Sequence, residues 1–393
     1  MSGPRPEDAA VLQPGKDKPV RNRHPWIFSG AIRSLPEFEN GGILPVLAAD
    51  GEFLGHAYFN RDTSIAGRML NFDRIPALEA LAANLDAAVA LRRRFLGPET
   101  TACRLVNGEG DGVPGLVADI YGDALVLQIS TLGMDRLKPF VLDHLTRRLA
   151  PRSVYEKSRL PSRREEGLPM FDGPLQGETA GTVEVLENGL RFRVDIVHGQ
   201  KTGFYLDQRE MRAFFGRLAA ERRVLNAFAY TGGFSVYAFA GGAASVDSVE
   251  ASDRAAALAR VNCALNGFGE KPGRFLAADV FEFIRAEPLD YDLVVLDPPA
   301  FAKKKTEVVQ ACRGYKDIHR IVFQKVPAGS LVLTFSCSFF VDETLFRQVL
   351  FQAAREASRG VRILQRHHQA FDHPLNIYHP ESDYLKGFLL EVE

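Results

Sequence analysis

The sequence is poor in cysteine, and its four cysteines do not form a metal-binding or redox pattern. Cys103, Cys263, Cys312 and Cys337 lie far apart in the 393-residue chain, and no two of them form a C-x-x-C pair. This spacing argues against a zinc site and against a dithiol motif, so we predict no metal. A reducing compartment fits such cysteine usage best.

Long apolar runs are also absent. No segment approaches the roughly 18 uninterrupted apolar residues of a membrane span. The N-terminal stretch "MSGPRPEDAAVLQPGKDKPV" lacks the apolar core of a secretory signal. Internal repeats and low-complexity tracts are missing as well. We therefore expect a cytoplasmic protein with no membrane segment.

The chain has almost no net charge, −1 at pH 7, which by itself indicates no polyanionic partner. The charge is nevertheless unevenly distributed. Residues 301–326 contain seven Lys and Arg against two acids, and residues 1–34 contain six against three. Each basic stretch is either a solvated surface or a contact for a polyanion.

The composition is that of a globular protein, with 46% hydrophobic and 25% charged residues. Residues 1–70 show short strand-like runs broken by Gly, Pro and Asn, which is typical of a small β-rich domain. Residues 71–190 combine two helical patterns with hairpin strands, so a mixed α+β domain is predicted. In residues 191–393 strands alternate with helices, which predicts an open α/β domain with a parallel sheet and an antiparallel pair at one edge.

The stretch "NAFAYTGGFSVYAF" follows the first strand of that α/β domain. In open α/β sheets, ligands bind outside the carboxyl ends of the strands. The Thr231-Gly232-Gly233 turn lets the backbone approach a ligand closely, because glycine has no Cβ and adopts positive φ. Any tight turn could use these glycines, and the spacing is not the G-x-G-x-x-G of a dinucleotide site.

Two carboxylates follow the next two strands of the domain. Glu250 can accept both hydroxyls of a ribose. Asp279 can accept from an adenine amino group, with Val280 and Phe281 flanking the ring. Taken singly, each fits a solvated strand end or a helix N-cap. With Asp297 after the fourth strand, three acids each directly following a strand predict a nucleoside pocket.

Residues suited to catalysis also follow the fourth and fifth strands. "DPPAF" places two prolines after Asp297, and their fixed backbone forms a rigid edge of carbonyl acceptors suited to a planar substrate with amino groups. "SCS" places Cys337 at the end of the fifth strand. A cysteine in an apolar strand is usually a small hydrophobic residue, but at this end its thiolate can act as a nucleophile.

Taken in order, the motifs "NAFAYTGGFS", Glu250, Asp279, "DPPAF" and "SCS" resemble class I S-adenosylmethionine-dependent methyltransferases. More narrowly, the chain resembles the 23S ribosomal RNA cytosine-5 methyltransferases that carry a PUA (pseudouridine synthase and archaeosine transglycosylase) domain. The likeness extends over nearly the whole chain, through "LQPGKDKPVRNRHPWIFSGAI", "KTGFYLDQR" and "YLKGFLLEV". It implies a C-terminal Rossmann-like methyltransferase domain, preceded by a PUA-like domain at residues 1–70 and a middle domain.

The resemblance implies S-adenosylmethionine as the cofactor. The glycine turn would carry its methionine and ribose part, Glu250 the ribose hydroxyls and Asp279 the adenine. The implied cofactor contacts are Phe204, Asp207, Arg209, Asn226, Phe228, Tyr230, Thr231, Gly232, Glu250, Ala251, Asp279, Val280 and Asp297.

The implied catalytic residues are Cys337 and Asp297. Cys337 would add to C6 of cytosine and activate C5, while Asp297 would hydrogen-bond the N3/N4 edge and stabilise the protonated ring. The chain departs from the better-known RNA cytosine-5 enzymes because Ala300 stands where those have a second cysteine. The base that removes the C5 proton is left open between Asp297 and a water.

The implied partner is ribosomal RNA of the large subunit or its precursor, and a homodimer is allowed. The predicted RNA contacts are Lys303, Lys304, Lys305, Arg313 and Lys316. Two alternatives stay open. An amino-group methyltransferase would use Asp-Pro-Pro without the thiol, and a non-catalytic RNA-binding assembly factor would keep the fold without turnover. The target nucleotide, and whether it lies in naked RNA or in a particle, are not specified by the sequence.

Overall fold

The computed structural model describes residues 4–302 and 304–393, which fold as two compact units. The first unit runs up to Val185 and adds Val194–Leu206 and Phe371–Ser382. The second unit comprises Leu186–Arg193, Asp207–Ala370 and Asp383–Glu393. The division into three domains with boundaries near residues 70 and 190 stays a prediction. Among the described residues, no helix has both the length and the apolar character needed to cross a bilayer.

A six-stranded sheet opens the first unit, with the strand order β2-β6-β5-β4-β1-β3. Its short strands end at glycines, prolines and polar turns, as the sequence predicts, and their apolar side chains surround Ile27, Phe59 and Met69. One short helix, α1 (Lys18–Arg21), lies between the first two strands. The strands are β1 (Ala10–Leu12), β2 (Trp26–Phe28), β3 (Ile32–Ser34), β4 (Ile43–Leu47), β5 (Phe53–Phe59) and β6 (Ile65–Asn71).

A five-stranded sheet with the order β11-β10-β9-β8-β7 follows in the same unit. Its core packs against the long helices α2 (Ala77–Phe95) and α3 (Leu132–Leu149), and a short helix α4 (Pro161–Glu165) follows. Thr131 caps the N-terminus of α3, and its hydroxyl accepts from the Met134 N–H. The strands are β7 (Ala102–Asn107), β8 (Leu116–Tyr121), β9 (Ala124–Ile129), β10 (Ser153–Ser158) and β11 (Phe171–Gln176).

A two-stranded hairpin, β12 (Thr182–Glu187) and β13 (Leu190–Asp195), precedes the second unit's sheet. Asn188 and Gly189 form its turn with φ of +50° and +80°, as the Asn-Gly pair predicts.

The second unit is built on a seven-stranded sheet with the order β16-β15-β14-β17-β18-β20-β19. Strands β14 to β18 are parallel, and β20 runs antiparallel between β18 and the edge strand β19. The predicted open α/β fold is therefore confirmed, including its antiparallel pair. The strands are β14 (Arg223–Ala227), β15 (Ser245–Glu250), β16 (Phe275–Ala277), β17 (Leu293–Leu296), β18 (Ser330–Ser336), β19 (Val361–His367) and β20 (Lys386–Val392).

Five helices connect these strands, a sixth precedes β14, and the six pack in two groups. One group packs α5 (Arg209–Arg217) and α7 (Asp253–Leu265) on α6 (Gly233–Ala240). The other packs α8 (Val280–Ala286) and α10 (Glu343–Ala357) on α9 (Val308–Lys325). Because β14, β17 and β18 are parallel neighbours, their carboxyl ends meet at one edge of the sheet, where ligands bind in such folds.

Candidate active site

In the turn after β14, every second residue has a left-handed backbone conformation. Phe228, Tyr230 and Gly232 have φ of +63°, +47° and +77°. At Gly232 a Cβ would lie 2.8 Å from the Cβ of Ala259, so only glycine fits there. Bulky residues such as phenylalanine and tyrosine rarely adopt positive φ, and such strain is concentrated at functional sites.

Glu250 fixes this turn from the end of β15. One of its carboxylate oxygens accepts from the Tyr230 N–H at 2.9 Å, and the other accepts from the Ser252 N–H at 2.9 Å. The two bonds orient the carboxylate and hold Tyr230 in its strained conformation. Because each carboxylate oxygen can accept a second hydrogen bond, Glu250 retains capacity for two ligand hydroxyls.

Two buried polar atoms at the turn have no hydrogen-bond partner among the described residues, the side-chain oxygens of Asn226 and Thr231. Asn226 uses its amide nitrogen to donate to the Ser235 hydroxyl at 2.8 Å. The Thr231 carbonyl accepts from Asn262 at 2.9 Å. Since buried polar groups are normally paired, these two oxygens fit a site that a ligand's donors complete.

The Asp279 carboxylate does not directly follow its strand. Asp279 lies two residues beyond β16, because it is the N-cap of α8 and accepts from the Glu282 N–H at 3.0 Å. It is exposed, as is Ala251, while the Val280 side chain is buried in the core. Glu250 is the last residue of β15, and only Asp297 directly follows its strand.

Aromatic rings form a row along this edge of the sheet. Phe228 lies 6.1 Å from Phe281, Phe281 6.0 Å from Phe301, and Phe301 4.6 Å from Tyr315, measured between ring centroids. The row runs from the glycine turn to Tyr315, which contacts the Ser-Cys-Ser segment; Tyr315 is buried in the core, and the other three rings are partly buried against it.

Asp297 follows β17 and is half-buried. Its Oδ2 accepts from the side-chain amide of Gln208 at 2.7 Å, and Gln208 is only 4% exposed. Sequence reasoning named both neighbours of Gln208 in "KTGFYLDQR" but not Gln208 itself. An uncharged amide between two charged residues gave no signal of its own.

Cys337 directly follows β18, and Asp297 directly follows the adjacent parallel strand β17, at the same edge of the sheet. Its serine neighbours are fixed by Tyr315 of α9, whose hydroxyl accepts from Ser336 at 3.2 Å and lies 3.1 Å from the Ser338 hydroxyl. Burial raises the pKa of Tyr315 to about 12, so this hydroxyl stays neutral at pH 7. The Ala302 N–H also donates to Ser338, which ties the segment after Asp-Pro-Pro to the cysteine turn.

Lys386 is a second residue that sequence reasoning missed. It begins β20 directly opposite Ser336, and its ammonium donates to the Ser338 carbonyl at 2.8 Å and to the Tyr384 carbonyl at 2.7 Å. It is only 9% exposed. A lysine at the start of the largely apolar strand "KGFLLEV" was the available signal, because lysine is rarely buried.

The other implied cofactor contacts lie in buried positions. Asp207 accepts from the Tyr384 hydroxyl, and the Arg209 guanidinium lies 3.8 Å from Glu187. Phe204 belongs to the first unit, where its N–H donates to the Tyr121 hydroxyl at 3.2 Å. Their roles toward the cofactor stay predictions.

Of the predicted RNA contacts, Lys303 lies outside the described residues. Lys304, Lys305 and Arg313 are exposed, in agreement with a role at the surface. Lys316 instead pairs with Glu356 at 2.7 Å, so its charge is partly compensated.

Two family models match parts of this chain. Residues 171–374 match the family described as S-adenosylmethionine-dependent methyltransferase, and residues 10–72 match a PUA-like domain. The fold and the site therefore define a methyltransferase with a PUA-like domain, and S-adenosylmethionine is its cofactor.

Curated relatives place the chain more narrowly. Ribosomal RNA large subunit methyltransferase I of Shewanella denitrificans is 39% identical over 390 residues, covering 97% of this chain and 98% of the relative. The protein of the same name from Alteromonas mediterranea is 39% identical over 389 residues with the same coverage. The chain belongs to the ribosomal RNA large subunit methyltransferase I family, which confirms the predicted family and enzyme class.

Solved structures support the fold independently. A Streptococcus mutans protein described as an S-adenosylmethionine-dependent methyltransferase is similar with a TM-score of 0.83 and 23% identity, covering 98% of this chain and 100% of that one. A methyltransferase structure in complex with SAH is similar with a TM-score of 0.84, 23% identity and the same coverage. At this identity the likeness supports the fold alone.

Proposed function

We propose that the protein methylates C5 of a cytosine in large-subunit ribosomal RNA, with Cys337 as the nucleophile. The observation that carries the proposal is that Cys337 and Asp297 directly follow two adjacent parallel strands, β18 and β17, at the same edge of the sheet. The activity for which the relatives are named, ribosomal RNA large subunit methylation, supports the substrate class.

The thiol is required because C5 of cytosine is a poor nucleophile. The Cys337 thiolate forms a bond to C6, and the electron pair of the C5–C6 double bond moves to C5, which becomes nucleophilic. S-adenosylmethionine supplies the methyl group as an electrophile. Removal of the C5 proton then re-forms the double bond, and the bond between C6 and sulfur breaks to release the thiolate.

Asp297 binds the polar edge of the base. Its carboxylate accepts from the N4 amino group and from the protonated N3, and so stabilises the positive charge that the ring carries as the adduct forms. The hydrogen bond from Gln208 fixes the carboxylate before the base arrives. Because Ala300 stands where better-known RNA cytosine-5 enzymes have a second cysteine, the C5 proton passes to Asp297 or to water.

The residues of the glycine turn fit the cofactor. Glu250 accepts the ribose hydroxyls with its remaining lone pairs. The unpaired oxygens of Asn226 and Thr231 accept from the ammonium of the methionine part, and Asp279 accepts from the adenine amino group with Phe281 against the ring.

A cytosine must leave its stack before a sulfur can reach C6, so single-stranded or opened RNA is the form that binds. Lys304, Lys305 and Arg313 hold its phosphates, and Lys303, which lies outside the described residues, is predicted from the sequence as a further contact. The reaction takes place in the cytoplasm. A homodimer stays a prediction.

Analysis of cellular RNA tests this function. Large-subunit RNA from cells with and without the protein is sequenced after bisulfite treatment, and its nucleosides are identified by mass. We expect one 5-methylcytosine that is lost without the protein, restored by the parent chain and by Cys312→Ala, and not restored by Cys337→Ala. Loss of N4-methylcytidine or a methylated adenosine instead would favour the amino-group methyltransferase. RNA unchanged by removal of the protein would favour the assembly factor.

A further inference from the structure

A buried lysine lies beside the cysteine that the proposed function uses. Lys386 is on β20, which pairs antiparallel with β18, and it stands opposite Ser336, the residue before Cys337. Its ammonium donates to the carbonyl of Ser338, the residue after Cys337, at 2.8 Å. Lys386 therefore contacts the residues on both sides of Cys337, Ser336 through strand pairing and Ser338 through a hydrogen bond.

Cys337 shares its surroundings with several acidic groups. Negative charges on both Cys337 and Asp297 act on the buried Tyr315 hydroxyl and raise its pKa, after the larger effect of burial. Both groups lie near the same hydroxyl, so the Asp297 carboxylate would oppose ionisation of the Cys337 thiol. Asp342 and Asp383 are further acids in the field of Lys386. Lys386 is a buried cation in a position to offset negative charge on these groups.

The charges that act on the pKa of Lys386 include the Cys337 sulfur. Burial lowers the pKa of Lys386, and among nearby charges Cys337 opposes that change most, ahead of Asp383 and Asp342. The attraction is mutual, so the same interaction favours the ionised sulfur. An ammonium has three N–H donors, and two of them are used by the Ser338 and Tyr384 carbonyls.

We propose that Lys386 is a positioning residue that keeps the Cys337 sulfur ionised and fixes its turn through the Ser338 carbonyl. The inference rests on the proposed role of Cys337 as the nucleophile. No proton moves when the thiolate adds to C6, and the thiolate is released beside the same ammonium when the bond to C6 breaks.

Thiol titration tests this role without any methyl transfer. The full-length protein is alkylated with iodoacetamide across a range of pH, and the rate at Cys337 is read from its peptide by mass spectrometry. In the parent we expect a titration midpoint below the value of about 8.5 for a free cysteine. In Lys386→Met the midpoint should rise by about one unit, with roughly tenfold slower alkylation at neutral pH, because one charge interaction is lost.

The controls separate the charge from the fold. Lys386→Arg keeps the charge and should titrate close to the parent, and the Cys312 peptide should react alike in all chains. Cofactor affinity shows whether Lys386→Met is folded. An unchanged Cys337 midpoint in a cofactor-binding Lys386→Met overturns the inference, and so does a parent midpoint at or above about 8.5. Full methylation by Cys337→Ala would overturn the proposed function instead, whatever the titration shows.

Discussion

The side-chain amide of Gln208 donates a hydrogen bond of 2.7 Å to the carboxylate of Asp297. Gln208 comes from the "KTGFYLDQR" motif, and Asp297 from the end of β17. The neighbouring Asp207 accepts from the Tyr384 hydroxyl, and its carbonyl accepts from the Ala370 N–H. The end of this motif is therefore fixed on both sides, and it holds the proposed catalytic carboxylate in one orientation.

Replacing Gln208 by leucine should slow methyl transfer. A hydrogen bond to a charged group contributes about 1.5–3 kcal/mol, so we expect a loss of roughly 10- to 100-fold in turnover with unchanged cofactor affinity. Steady-state kinetics and calorimetry measure the two effects. Gln324→Leu, at an exposed glutamine of α9, is the matched control and should behave as the parent does. Parent-like turnover in Gln208→Leu would show that Asp297 does not depend on this bond.

Replacing Glu250 by glutamine should weaken cofactor binding. The amide keeps the shape of the side chain, but its NH₂ group faces either the Tyr230 or the Ser252 N–H and cannot accept from it. We expect an affinity lower by about 1–3 kcal/mol in calorimetry. Glu282→Gln, at an exposed position of α8, should bind normally. Equal affinity of Glu250→Gln and the parent would remove Glu250 from the cofactor site.

Strand ends were the part of the site that the sequence could predict. Parallel strands of an α/β sheet present their carboxyl ends together, so Glu250, Asp297 and Cys337 could be grouped from the alternation of strands and helices alone. The antiparallel final pair followed from the missing helix between its strands.

Contacts between distant segments could not be predicted in this way. Gln208 meets Asp297 across 89 positions, and Lys386 meets Ser338 across 48, and neither pairing follows from a local pattern. Asp279 shows the opposite case. The same carboxylate fits a helix cap and a ligand contact, and the structure shows that it serves as the cap while one of its oxygens has further capacity.

The basic loop should contribute RNA affinity through charge. Changing Lys303, Lys304 and Lys305 together to alanine should reduce the slope of log affinity against log salt, by about 0.7–0.9 for each phosphate that the loop no longer neutralises. Binding is measured at several salt concentrations, with cofactor affinity as the test of an intact pocket. Lys271→Ala, at an exposed lysine elsewhere in the second unit, should keep the parent slope. A parent slope in the triple variant would mean that the loop is only a solvated surface.

His319 should make the protein sensitive to acid. Its buried ring lies between α9 and β18, 2.6 Å from the Tyr315 carbonyl and 2.7 Å from the Thr334 hydroxyl, and burial lowers its pKa to about 4. The unfolded chain takes up this proton near pH 6.5, whereas the folded protein does not until about pH 4. Stability is therefore fully present above about pH 6.5 and is lost as the pH falls toward 4.

Urea unfolding at pH 7 and pH 4.5 measures this effect. In His319→Gln the loss of stability between the two pH values should be smaller by about 2 kcal/mol than in the parent. His367, whose pKa burial also lowers to about 4, stays in both chains and cancels from the difference. The same loss in both chains would show that His319 does not titrate in this range.

Covalent trapping tests the central claim most directly, because only the cytosine-5 mechanism forms a bond between the enzyme and the base. Large-subunit RNA is transcribed with 5-fluorocytidine in place of cytidine and incubated with the protein and S-adenosylmethionine. Fluorine cannot leave C5 as a proton does, so the sulfur cannot be released once the methyl group is attached. We predict a denaturation-resistant adduct whose peptide maps to Cys337, formed by the parent and by Cys312→Ala and not by Cys337→Ala. A Cys337→Ala chain that still methylates unmodified RNA, or a parent that turns over without any adduct, would contradict it.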